Sequence, residues 1–204
     1  MHSGTHIDAP CHISSHGKLF GGIKIDLTPS SDQRIFSKLT IDKFKLGVRK
    51  GVLVDVARFK KLAALQESYA ITRNDIEETL EYERVRITKG DAVMLRTGYG
   101  RYYLNAPIKY LRNDPGLSRD GAKWLVRNGV SIVGADNLSL DALPTSTYDA
   151  HVETLVKGGV YTVKNLYLEE LSKSRVTEFL FDVAPLKIIG ATGSLIRPVA
   201  IATK

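Results

Sequence analysis

Apolar and polar positions along this chain fall into two regimes. Four short stretches, Gly51-Val52-Leu53-Val54-Asp55-Val56, Asp91 to Arg96, Val130 to Ala135 and Ile196 to Ala202, are almost continuously apolar and are bounded by Gly, Pro or charge. Short runs without alternation are how strands buried on both faces read. Between them, apolar residues recur at helical spacing. Thr72-Arg73-Asn74-Asp75 forms a capping box that opens a helix with Ile76 and Leu80 on its inner side. Ser118 caps a second helix carrying Ala122, Leu125 and Val126, which stops at Asn128-Gly129. Trp124 on that helix is expected in the core or at an interface. A third helix is predicted to start near Ser146 or Thr147 and to carry His151. Strands alternating with helices give an α/β fold.

Composition narrows the class. With 204 residues, 43% of them hydrophobic, and no repeat or low-complexity stretch, the chain can build one substantial core, and we read residues 1–204 as a single domain. No run of about eighteen apolar residues and no leader pattern occurs, which predicts a cytoplasmic protein without a membrane partner. The lone cysteine, Cys11, has no partner for an internal disulfide and is expected to be a small packed residue, not a nucleophile. Two glutamines, Gln33 and Gln66, among many Lys, Arg and Glu are a composition of the thermophilic kind. The net charge is +7, but Lys60-Lys61, Arg84, Arg86, Arg112 and Lys123 are scattered among acidic residues with no aromatic interleaving. That is a solvated surface and not a nucleic-acid footprint, although it favours anionic small molecules by steering.

The chemistry is concentrated at the start. Four of the five histidines lie within the first sixteen residues, three of them in His2-Ser3-Gly4-Thr5-His6-Ile7-Asp8-Ala9-Pro10-Cys11-His12. An expression tag is an unbroken run of histidines; these are spaced by Gly, Thr, Asp and Pro. If the segment is a strand, its period of two places His2, His6, Asp8 and His12 on one face. Pro10 interrupts the strand and turns the chain so that His12 can come round to the same centre. Imidazole nitrogens with a carboxylate oxygen are the donors preferred by zinc and its first-row neighbours. Two or three donors leave a divalent ion under-coordinated, and His151 is the only histidine outside the cluster. By itself it reads equally as a ligand or as a helix-capping side chain.

The string H-x-G-T-H-x-D-x-P-x-H, filled by His2, Gly4, Thr5, His6, Asp8, Pro10 and His12, resembles the signature of the cyclase or kynurenine-formamidase-like metal-dependent hydrolases, a group that includes isatin hydrolases. The likeness continues through Lys89 to Tyr99, through the helix, strand and turn from Leu117 to Leu140, and through His151, Gly158, Val160, Tyr161 and Asn165-Leu166. It implies a swivelling β/β/α fold of the α/β class. It also implies that His2, His6, Asp8 and His151 bind metal, that the aspartate often bridges to a second ion, and that His12 carries protons. Zinc is the expected metal, with manganese the alternative. Asp136, Asn137, Ser139 and Asp141 resemble the family's loop near the site but read equally as turn and cap residues.

Two departures stand out. The family's second-site glutamate is matched by Lys164 if one extra residue is allowed in Gly158-Gly159, and by Val163 without it. A protonated lysine repels a cation, so one tightly held metal is expected, with the Lys164 ammonium in place of the second ion or, alternatively, a carbamylated lysine restoring a carboxylate. The second departure is that Met1 stands directly before His2, where relatives carry a few dozen residues. The family's N-terminal segment is therefore expected to be missing from this chain, and His2, close to an end, to be the least firmly held ligand.

A bound divalent ion lowers the pKa of its water to about 7 and polarises a carbonyl, so the expected reaction is hydrolysis of a small amide: an N-formyl arylamine resembling formylkynurenine, or a cyclic amide. His12, with an ordinary pKa of about 6.5, takes the proton from water and returns it to the leaving nitrogen. The expected partners are that small molecule and further copies of the chain in a homodimer or higher homo-oligomer. Two other classes stay open: a metal-binding member impaired in catalysis by Lys164, which would bind zinc without turning over amides, and a scaffold protein, which would be free of metal.

Overall fold

In the computed structural model, which describes residues 2–25, 27–30 and 33–202, three of the four apolar runs form the parallel centre of an eight-stranded sheet. Met1, on which the expected loss of a leading segment rests, lies outside the described residues. We number the strands of this sheet β1 His6–Asp8, β2 Arg49–Val54, β3 Ala92–Leu95, β4 Ile132–Ala135, β5 Tyr161–Lys164, β6 Glu178–Asp182, β7 Gly193–Leu195 and β8 Val199–Ile201. They lie in the order β7-β1-β5-β4-β3-β2-β6-β8. The run from β2 through β3 and β4 to β5 is parallel, whereas β1 is antiparallel to both β5 and β7, and β6 to both β2 and β8. Parallel neighbours need a crossover, and helices supply it: α1 Arg73–Glu83 between β2 and β3, α2 Arg119–Arg127 between β3 and β4, and α3 Asp149–His151 between β4 and β5.

The helix ends follow the expected chemistry. The Thr72 hydroxyl accepts from Asp75 N at 3.2 Å while the Asp75 carboxylate accepts from Thr72 N at 2.9 Å, the reciprocal capping box. Ser118 accepts from Gly121 N, and α2 ends at Asn128, followed by Gly129 with φ of 72°. Trp124 packs partly buried against the core beneath it. The third helix begins at Asp149, later than Ser146 or Thr147, because the Thr145 hydroxyl accepts from the N–H groups of Thr147 and Tyr148 at 3.3 Å and ties them into a turn. After His151 the helix widens into a π-helical stretch, Val152–Lys157.

Alternation along each strand sends side chains into two cores. Val52, Val54, Val93, Leu95, Val133 and Ala135 meet Ile76, Leu80, Ala122 and Leu125 of the helices on one face, while Leu53, Met94, Ile132, Val163, Phe179 and Phe181 fill the other. Ile7 belongs to the second core, which turns its neighbours His6 and Asp8 towards the helix-bearing face. Cys11 is buried in that same second core, as expected of a packed residue. The fourth apolar run does not form a buried strand. Ile196 to Ala202 contributes only β8, an edge strand whose residues are all exposed, because an apolar run carries no mark of whether neighbours cover it. Among the described residues, no helix is long and apolar enough to cross a membrane.

Candidate metal centre

Strand β1 is only three residues long and does not reach back to His2, and after it the chain turns at Pro10, where His12 N donates to the Ala9 carbonyl at 2.8 Å. His6 and Asp8 share a strand face; His2 and His12 reach them from the bends on either side. Gly4, at φ of +66°, turns the chain ahead of β1, and its carbonyl accepts from His6 Nδ1 and Asn165 Nδ2, both at 2.8 Å. The His6 ring is thereby fixed with Nε2 towards Asp8 Oδ1, 3.5 Å away. His2 Nδ1 donates to the same Oδ1 at 2.7 Å, and its Nε2 meets the Thr192 hydroxyl at 2.9 Å. The His2 ring stacks on His12 with centroids 4.1 Å apart.

Antiparallel register decides which residue of β5 enters the site. His6 lies opposite Lys164, Ile7 opposite Val163, and Asp8 opposite Thr162. Facing residues of an antiparallel pair project to the same side, so Lys164 and Thr162 join the histidines while Val163 points into the second core. The Lys164 ammonium pairs with Asp8 Oδ2, which also accepts from the Thr162 hydroxyl at 3.1 Å and stands 4.0 Å from His12 Nε2. On the other side of β1, Gly193 faces Asp8. A Cβ there would lie 2.7 Å from His2 Cε1 and 2.6 Å from the Ile7 carbonyl.

His151 reaches the centre from α3. Its Nδ1 is bonded to Asp141 Oδ2, and Asp141 Oδ1 accepts from Ala150 N at 2.7 Å, so the pair is held from both ends. Of the loop residues left open by the sequence, Asp141 thus orients His151, whereas Asp136 accepts from Thr97 and Gly98, and Asn137 donates to the Pro115 carbonyl, as turn residues do. Thr162, Thr192 and Gly193 were not legible as site residues; their role depends on strand register across the sheet. His16 is exposed and takes no part.

The donors form two groups sharing one carboxylate. Among the described residues, the ligand atoms of His2, His6 and Asp8 lie within 4.8 Å of one another, and so do those of Asp8, His12 and His151. These groupings place His151 with Asp8 and His12, and His2 with His6 and Asp8. The first group suits a divalent metal: two imidazoles and a carboxylate converge, and His6 spends its other nitrogen on a carbonyl, as metal-ligating histidines do. Burial lowers the pKa of His6, an effect only partly opposed by Asp8 and the Gly4 carbonyl, so the ring is neutral and free to ligate. Burial works against ionisation of Asp8, but the His2 hydrogen bond and the Lys164 ammonium, with smaller contributions from the His12 and His6 rings, outweigh it and hold the carboxyl far below its usual range. Burial also lowers His12 to about 4 and lowers His151, which keeps both rings neutral at pH 7. Cys11, pushed up to about 12 by burial, is a thiol and not a thiolate. Two cavities of about 420 and 390 Å³ open beside Thr5, Leu166 and Tyr167, but neither is lined by a histidine.

If Gly193 keeps the space into which His2 leans, Gly193→Ala should displace that ring and weaken metal affinity roughly 10–100-fold, the range that follows loss of support to a ligand. Chelator competition reads this directly; unchanged affinity would remove His2 from the ligand set.

The family described as putative cyclase matches residues 1–142 of the chain. Cyclase-like protein 3 of Oryza sativa subsp. japonica is 28% identical over 202 residues, which are 98% of this chain but 62% of that protein, so the chain spans less than two thirds of its length. A kynurenine formamidase of Bacillus thuringiensis (strain Al Hakam) is 25% identical over 200 residues, covering 98% of this chain and 75% of that one. The crystal structure of a novel cyclase superposes with a TM-score of 0.86 at 31% identity, over 97% of this chain and 69% of that one.

Proposed function

The chain belongs to the cyclase family, and from that premise we propose that it is a metal-dependent hydrolase of a small amide, with an N-formyl arylamine or a cyclic amide as substrate. The observation that carries this reading is the convergence of His2, His6 and Asp8 Oδ1. Three protein donors with an open fourth position are the pattern of a catalytic zinc site, whereas structural sites are closed by four. A divalent ion held there, zinc or manganese, supplies Lewis-acid polarisation of the amide carbonyl and an activated water.

The protein's own groups do the rest. His2 and His12 are the most open members of the site, with side chains 31% and 25% exposed, so the substrate approaches past their stacked rings. Neutral His12 accepts the proton lost by water as oxygen bonds to the carbonyl carbon, then delivers it to the nitrogen as the C–N bond breaks, releasing an amine and a carboxylic acid. His6, tied to Gly4, and Asp8, tied to Thr162, are held in place and need no rearrangement. The reading is tested by metal analysis of the purified chain together with hydrolysis of N-formyl arylamines and cyclic amides. One equivalent of metal and turnover that is lost on chelation and restored by zinc or manganese is expected; turnover by the metal-free chain would overturn it. The ammonium on Asp8 favours one second reading, a metal-binding member without catalysis, which would hold the ion and turn over no amide in the panel.

A further inference from the structure

Asp8 divides its two oxygens between unlike surroundings. Oδ1 faces the imidazoles of His2 and His6 at 2.7 and 3.5 Å. Oδ2 faces Lys164 Nζ, the Thr162 hydroxyl at 3.1 Å and His12 Nε2 at 4.0 Å. Asp8, His12 and His151 form a second group, in which one carboxylate oxygen and two imidazole nitrogens lie within 4.8 Å of one another. Both groups therefore offer the same donors, N, N and O, to a divalent ion. They differ in one respect. In the second group the carboxylate oxygen nearest His12, Oδ2, already carries an ammonium, on a side chain only 6% exposed.

The fold leaves that ammonium little freedom. Lys164 is paired with His6 across β1 and β5, so its stem projects to the same face as the donors. Being nearly buried, it satisfies its charge on the nearest carboxylate, Asp8. A dication entering between Asp8, His12 and His151 would meet this charge at close range and would have to displace it from Oδ2.

We infer that Lys164 is a built-in cation that plugs a second metal position formed by Asp8, His12 and His151, keeping the centre mononuclear and leaving His12 and His151 as free imidazoles. The inference rests on the reading that the first group takes a divalent ion. It differs from replacement of a missing carboxylate ligand, because Asp8, His12 and His151 already supply a full three-donor set. Removal of the charge alone, with no ligand added, should open the position.

The test counts metal and requires no turnover. The chain and its Lys164→Met variant are equilibrated with zinc, freed of unbound ion by gel filtration and analysed for zinc per chain. One ion is expected in the parent and two in Lys164→Met, and adding His151→Ala to that variant should return the count to one. Lys164→Glu, refolded with zinc present, carries the same expectation of two and serves if the methionine variant does not fold. Two ions in the parent, or one in both folded variants, would overturn the inference while leaving the metal-dependent reading intact. No ion in the parent would end that reading, and this inference with it.

Discussion

Replacing Asp8 with Ala is expected to abolish stoichiometric metal binding and to lower the melting temperature of the metal-free chain by about 6–20 °C. The first effect follows because both groups of donors share this one carboxylate, so no alternative three-donor set remains among the described residues. The second follows from what is left behind. Asp8 is the charge partner of Lys164, whose side chain is 6% exposed, and removing one member of a buried pair costs about 3–5 kcal/mol because the other charge stays buried and unpaired. For a chain of this size about 3–5 kcal/mol corresponds to about 6–20 °C. The combination Asp8→Ala with Lys164→Met should recover most of the lost stability, since neither charge then remains, and should recover no metal. Calorimetry and metal analysis on the two variants and their double check this. A double variant as unstable as the sum of the singles would show that the pair is not coupled. Metal retained by Asp8→Ala would refute the assignment of the carboxylate as the shared ligand.

His12→Asn should keep metal content near that of the parent while lowering kcat by roughly 10²-fold or more, the contribution typical of a lost acid–base group. His12 stands on the Oδ2 side of Asp8, 4.0 Å away, and belongs to a different group of donors from His2 and His6, so its removal takes no donor from His2, His6 and Asp8 Oδ1. Asparagine preserves polarity next to the His2 ring, which stacks on His12 at 4.1 Å, but cannot carry a proton. Loss of metal would make His12 a ligand. Unchanged kcat on an amide turned over by the parent would take it out of the mechanism.

The legible parts of this molecule are those set by neighbours in sequence. The helix caps at Thr72 and Ser118 form where their spacing indicated, since a side chain reaching a backbone N–H three residues on needs only its own turn. The central strands were visible because burial on both faces removes alternation from the sequence itself. Strand β6 was missed: its alternating Glu178 to Asp182 pattern is short and carries charge at both ends. The apolar end of the chain misled for the complementary reason, an edge strand being as hydrophobic as a central one while lying exposed.

By itself the sequence determined that His6 and Asp8 share a face, that three further histidines are candidates to join them, and that a lysine or a valine stands where relatives place an acid, because side-chain period and motif spacing are local properties. Only the tertiary structure decided between Lys164 and Val163, grouped His151 with His12 and not with His6, and brought Thr162, Gly193 and Asp141 to the centre. The reason is register: β1, β5 and β7 are far apart along the chain, and a shift of one residue in their pairing would have turned Val163 to the donors and buried the lysine in an apolar core, so the burial of Ile7 and Val163 on the other face is what sets the charge inside the site.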